Sequence, residues 1–169
     1  MYRVVVTGIG AVSPIGNSFP EFWSAAKAGI SGIARIRRFN ASSLPWKVAG
    51  ELKQFDAEQY LSRKEIHRLD PFVHYAVAAA VMAADDAGLM RTDSKPGGQP
   101  PEKQMRSGLL TSAGVIIGSS RGGISTIEKA VAASHQALKM KRHVSPYLMP
   151  ATTISMASSY VGQTLGIKG

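Results

Sequence analysis

Between Asp70 and Gly88 the chain reads Val73-His74-Tyr75-Ala76-Val77-Ala78-Ala79-Ala80-Val81-Met82-Ala83-Ala84, apolar on nearly every face when wound as a helix. An amphipathic helix needs cover along one stripe, whereas a helix apolar all round leaves greasy surface in water unless neighbours enclose it on every side. Pro71 suits the first turn, where its missing N–H costs nothing, and Gly88 supplies the stop. The apolar run is too short to span a bilayer, and Asp85 and Asp86 follow it directly. The pattern predicts a core helix sandwiched between other layers.

Two other runs predict buried parallel strands, because they are apolar without alternation. Val4-Val5-Val6-Thr7 leads into a glycine turn, Gly8-Ile9-Gly10-Ala11-Val12-Ser13-Pro14-Ile15-Gly16-Asn17, and Ala113-Gly114-Val115-Ile116-Ile117-Gly118 leads into Ser119-Ser120-Arg121-Gly122-Gly123. The first turn looks like a dinucleotide site and lacks what one requires. Ser13 stands at the third glycine position, no helix opens at the loop exit, and no acidic residue closes a second strand where Ile33 to Arg38 is basic and irregular. The turn is instead a tight, backbone-dense one beside a buried strand.

Around these, Phe19 to Lys27 predicts a short amphipathic helix stopped by Gly29. Ile30 to Pro45 reads as loop, Val48 to Leu52 as a short, doubtful strand, and Asp56 as the cap of a brief helix to Leu61, with Ser62 and Asp70 as further caps. Residues 91–107 are polar and rich in proline and glycine, a surface loop excursion within one domain. Ile124 to Met140 has helical spacing, Ser145-Pro146 breaks it, and Pro150 fixes a turn before a final helix from about Thr152 to Leu165. That last helix is rich in small residues, which permits close backbone approach to a neighbour. Two strands and a doubtful third are too few for a sheet that encloses an all-apolar helix, since sheets usually have about four to six. The expectation is that a second copy or a further length of polypeptide completes the core.

Composition narrows the chemistry. With no cysteine among 169 residues, the stretch holds no disulfide, thiolate metal site or thiol nucleophile. His74 and His135 lack ligand companions at i+4 and read as packing or surface residues, so no metal and no cofactor is expected. The N-terminus carries a strand where a signal peptide would have a charged and then an apolar region, which predicts a cytoplasmic chain without membrane insertion. Twenty Lys and Arg against 11 Asp and Glu give a net charge of +9, which favours an anionic partner. The charge clusters at Arg35, Arg37 and Arg38, at Arg63, Lys64 and Arg68, and at Lys139, Lys141, Arg142 and His143. Nucleic acid fits poorly: no reader motif is present, and Phe22, Trp23, Phe72 and Tyr75 lie in apolar segments instead of alternating with the basic clusters.

Six segments taken in order carry a resemblance: Val5 to Gly16; Ser62-Arg63-Lys64-Glu65 with Asp70-Pro71-Phe72; Ala84 to Leu89; Ile117-Gly118-Ser119 with Gly122-Gly123; Ser145-Pro146 with Met149-Pro150; and Gly162 to Gly169. On these the chain resembles the elongating β-ketoacyl-acyl-carrier-protein synthases, of the thiolase-like fold. The resemblance implies an α/β architecture, five-layered α/β/α/β/α when complete, of which residues 1–169 are the N-terminal, incomplete portion. It implies decarboxylative Claisen condensation of an acyl thioester with malonyl-acyl-carrier protein in fatty-acid biosynthesis, by a homodimer. The family's nucleophilic cysteine lies shortly after the position matching Gly169, so no catalytic residue falls within this stretch, and the stretch alone is expected to be inactive.

What the resemblance carries onto these residues is pocket wall and docking face. Leu148 and Met149 match the segment that reaches across the dimer to line the partner's acyl tunnel, although apolar character alone would equally have them fill core behind Pro150. Arg121 stands where the family has a small or apolar residue gating the tunnel. A guanidinium is costly to bury unpaired, so either it swings to the surface or the pocket is shortened or suited to a polar acyl group. Arg63, Lys64, Arg68 and Arg142 match basic positions that receive the acidic acyl carrier protein. His67 replaces a usually basic residue, which implies weaker or modestly pH-sensitive docking. A rival reading is a non-catalytic partner of the chain-length-factor kind, contributing interface and pocket without a nucleophile.

Overall fold

The structure is a computed structural model that describes residues 3–93, 102–105, 110, 112–140 and 145–168. In chain order it has α1 (Phe19–Lys27), β1 (Ile33–Arg35), β2 (Val48–Gly50), a single 3-10 turn (Ala57–Gln59), α2 (Arg63–Arg68), α3 (Pro71–Asp86), β3 (Met90–Asp93), β4 (Glu102–Met105), α4 (Ile124–Met140), α5 (Leu148–Thr152) and α6 (Ser155–Thr164). The strands form two separate antiparallel pairs, β1 with β2 and β3 with β4. Ile33 faces Gly50 in the first, and Met90 faces Met105 in the second.

Local caps explain where α1, α2 and α3 begin. Ser18, Ser62 and Asp70 each sit at an N-cap with extended backbone and accept a main-chain N–H from the first turn, which satisfies a donor the helix itself cannot use. Gly29 and Gly88 follow α1 and α3 with φ of 68°, the left-handed conformation that ends a helix at least cost in glycine.

The core lies where α3 packs against α6. Val73 and Val77 are fully buried there among Leu61, Leu69, Ala84, Val161 and Leu165. Each such valine contributes about 1.5–3 kcal/mol relative to exposure. Ala157, Val161 and the other small residues of α6 permit this approach, as their size predicts. The expectation that α3 is enclosed on every side is corrected. Val73, His74, Val77, Ala78 and Ala84 are buried, and the remaining apolar positions of the helix are half-covered.

The two expected parallel strands are corrected for the same reason. Val4 and Val6 are 95% and 82% exposed and belong to no ladder. Among residues 113–118, Val115 and Ile117 pack on the core while Ile116 is 100% exposed. A parallel strand is buried on both faces only between flanking strands and a second layer, and the described residues supply neither.

Smaller differences follow from short-range chemistry. The stretch expected as loop contains β1, and the doubtful strand is its partner β2. Glu51 then accepts the backbone N–H groups of Arg37 and Arg38 at 3.0 and 3.1 Å. The expected final helix is α6, beginning at Ser155 because Thr153 leaves the helical region with ψ of 125°, and the turn expected at Pro150 is the short helix α5. Pro150 sits in the first turn of α5, where no N–H is needed. Within the 91–107 excursion, β3 and β4 pair, while residues 94–101 and 106–107 lie outside the described residues.

The glycine turn after the first segment acquires a definite purpose. A Cβ at Gly8 would strike Ala83 O and come within 2.6 Å of Ala87 N, and one at Gly10 would strike Ala79 O and come within 2.7 Å of Ala83 N. The turn lies backbone against backbone along α3, and Ile9 N–H donates to Asp86 Oδ2 at 2.9 Å.

Candidate functional site

Among the described residues, the docking helix α2 and the α5 segment come together through Arg68 and Tyr147, beside the starts of α3 and α4. Helix α2 is fixed by a capping box: Glu65 N–H donates to Ser62 Oγ at 3.4 Å, and Ser62 N–H donates to Glu65 Oε2 at 2.8 Å. Six residues long, the helix depends on such caps, since an isolated helix of that length is unstable in water.

Its basic residues are not equivalent. Arg63 turns back to Glu58, with Nε to Oε1 at 3.1 Å and Nη2 to Oε2 at 3.2 Å, a two-pronged pair in water. Lys64 is exposed and His67 is exposed. Arg68 is half-buried, its Cζ 4.6 Å from the centroid of the Tyr147 ring. That distance is within the range of cation–π attraction, about 0.5–1 kcal/mol at an exposed site.

Tyr147 is the N-cap of α5 and is set by the Ser-Pro turn before it. Ser145 Oγ accepts from Tyr147 N–H at 3.3 Å, and Ser145 O accepts from Leu148 N–H at 3.1 Å. Next to it, Leu148 is half-buried and Met149 is 71% exposed. Core filling behind Pro150 therefore does not describe Met149.

The far end of α5 carries the Arg121 loop. A Cβ at Gly122 would lie 2.7 Å from Thr152 O and 3.2 Å from Phe72 Cζ. Gly123, with φ of 59°, lies against Ala151 and Thr152. Arg121 itself is exposed, its carbonyl accepting from Ser119 Oγ at 3.0 Å. Of the alternatives for this guanidinium, the described residues have it at the surface. Arg142 and the cluster around it lie outside the described residues, as does the His135 side chain.

Asp70 joins the pieces, and the sequence alone did not reveal how. Besides capping α3 through Phe72 N–H at 3.3 Å, its Oδ2 accepts from Thr126 N–H at 3.0 Å and Thr126 Oγ1 at 2.7 Å, in the first turn of α4. One buried carboxylate thus holds two helix starts. His74, one turn further along α3, is buried with Nε2 unpartnered among the described residues. Burial pushes its pKa below the ordinary value, against the opposing charge of Asp70 and the Leu69 and Ile66 carbonyls. Among the described residues no group of three His, Cys, Asp or Glu could hold a metal ion. Among the described residues no helix is long and apolar enough to cross a membrane.

The family model for the β-ketoacyl synthase N-terminal domain matches residues 1–169, the whole chain. The chain belongs to this family. It is 37% identical to the 3-oxoacyl-[acyl-carrier-protein] synthase 2 of Vibrio harveyi over 99% of its own length, and it spans 36% of that relative. Among solved structures it is similar to an ishigamide ketosynthase/chain length factor, with a TM-score of 0.72 and 25% identity, over 98% of this chain and 37% of that one. It is similar also to a type II PKS acyl-carrier protein in complex with its ketosynthase bound to the hexaketide, with a TM-score of 0.68 and 25% identity, over 98% of this chain and 40% of that one. The thiolase-like α/β fold is thereby shown, with this β-ketoacyl synthase domain as its N-terminal part. The shares covered also account for the unpaired strand segments and half-covered α3, since about a third of such a protein brings only part of its layers.

Proposed function

We propose that the chain forms the N-terminal part of a 3-oxoacyl-acyl-carrier-protein synthase, an acyltransferase that condenses an acyl thioester with malonyl-acyl-carrier protein in fatty-acid biosynthesis. The carbon dioxide lost from the malonyl group leaves an enolate that attacks the acyl carbonyl. The nucleophile that holds the acyl group is not among these residues, which contain no cysteine. Their part is recognition. Lys64, Arg63 and Arg68 on α2, with Arg142, receive the acidic carrier protein, Leu148 and Met149 line the acyl pocket, and Arg121, turned to the surface, stands at the gating loop beside it. The working assembly is a homodimer in the cytoplasm.

The observation that carries this reading is the contact between α2 and α5, through Arg68 and Tyr147. A basic surface and an exposed apolar segment, each assigned a role separately, are neighbours, as delivery of an acyl chain by an acidic carrier requires. The carrier-protein complex among its structural neighbours supports the same partner. The likeness to a ketosynthase/chain length factor favours a second reading, a subunit that contributes pocket and interface without chemistry.

The test is titration of the full chain with acidic acyl carrier protein and with duplex DNA, each across a salt series. Carrier binding that weakens with salt, with DNA binding weaker, is the expected result. Tight DNA binding with a steep salt slope and no response to carrier overturns the reading. Decarboxylation and condensation assays on the protein carrying this domain separate synthase from non-catalytic partner.

A further inference from the structure

We propose that Arg68 is a positioning residue as well as a docking cation: lying over the Tyr147 ring, it clasps the carrier-receiving helix α2 to α5, so that an acidic partner bound on α2 and the Leu148–Met149 segment are set in register. This deepens, and rests on, the carrier-binding reading above.

Three observations carry it. The guanidinium carbon lies over the ring, 4.6 Å from its centroid, within the range of cation–π attraction. Tyr147 is not a side-chain anchor that could be placed elsewhere without consequence. Its carbonyl accepts the Ala151 N–H at 2.9 Å, the first turn of α5, and no side-chain cap holds that helix start. A five-residue helix without a side-chain cap has little stability of its own, so its place is set by what grips its ends. At the other end the grip is rigid, since Gly122 and Gly123 lie against Thr152 with no room for a Cβ. At the Tyr147 end the Ser145 turn fixes the backbone, and the ring contact with Arg68 supplies the tie to α2. Arg63 cannot substitute, because it is turned to Glu58.

The clasp is tested on the full chain by hydrogen exchange at the Ala151 and Thr153 amides, together with carrier-protein titration, in Arg68→Met, Tyr147→Phe, Tyr147→Leu and the double variant Arg68→Met with Tyr147→Leu. Tyr147→Leu removes the ring and leaves every charge in place. It is expected to speed exchange at both amides about three-fold and to weaken carrier binding by a similar factor, whereas Tyr147→Phe keeps the parent values. Arg68→Met speeds the same exchange, and the double variant is no faster than the single ones, because both remove one contact. Should Tyr147→Leu fail to fold, Arg68→Met against Tyr147→Phe makes the same comparison. Unchanged α5 exchange in Arg68→Met or Tyr147→Leu, or effects that add in the double variant, overturns the clasp. If the parent chain does not bind carrier protein at all, the carrier reading fails, and the exchange data still decide whether the two side chains hold α5.

Discussion

Replacing Gly10 by alanine drives a methyl group into the main chain of α3, where Ala79 O, Ala83 N at 2.7 Å and Ala79 C at 2.9 Å leave it no place. All three are backbone atoms of a core helix, so no flexible side chain can yield. Overpacking of this kind costs about 1–3 kcal/mol, and the rigidity of the obstacle argues for the upper end. The loss of unfolded-state freedom on replacing glycine returns about 0.4–1 kcal/mol. The net is a destabilisation of about 2 kcal/mol, which for a chain of this size lowers the melting temperature by about 4–8 °C. Gly162→Ala is the control. In α6 a Cβ would meet Ile167 O at 3.9 Å and Val115 Cγ2 at 4.0 Å, ordinary contacts, and helix propensity there gains up to about 1 kcal/mol. Far-UV circular dichroism melts of the full chain compare the two. A Gly10→Ala variant that melts with the parent would refute the claim that this turn exists for backbone packing, and would reopen a ligand-binding explanation for it.

Asp70→Ala removes the acceptor shared by two helix starts, and denaturant unfolding should show a loss of about 2–4 kcal/mol, the sum of a lost cap and lost bonds to a charged group. Because burial holds the pKa of His74 below its ordinary value, the unfolded chain binds the proton more readily. That part of the stability is fully present above about pH 6.5 and falls as the pH drops below it, and His74→Leu should flatten the dependence in urea midpoints measured between pH 7.5 and 5.5. Glu58→Gln frees Arg63 without touching the core, so the melting temperature should stay within error while binding of acidic carrier protein strengthens about two-fold, read by titration at low salt.

Helices could be read from the sequence because their signals are local. A capping Asp, a proline in the first turn and a glycine after the last lie within a few residues of what they control, apolar spacing of one turn is equally local, and α1, α3 and α4 fall where those signals put them. Strand burial was not legible, because it depends on neighbours. Val4 to Val6 have the composition of a central strand, yet nothing in the residues themselves says which segments flank them. The three-residue β1 is too short to show alternation, and Thr153 offers no composition cue for the break between α5 and α6. At the site, the separate roles of α2 and of Leu148 and Met149 rested on family resemblance. The sequence could not say that Arg68 and Tyr147 touch or that Asp70 reaches Thr126, since both pairings span segments whose folding is set by the α3–α6 core.

The bond from Asp70 to Thr126 joins residues 56 apart in sequence. It ties the start of α3 to the start of α4, so that α3 and the chain that follows it form one loop closed at Asp70 and Thr126. Lengthening such a span costs little, roughly 0.6 kcal/mol for each doubling. Insertions or deletions between Asp86 and Ile124 would therefore lengthen or shorten that loop while the two helix starts at its closure keep their spacing, giving related chains a place to diverge without disturbing the residues proposed to meet the partner.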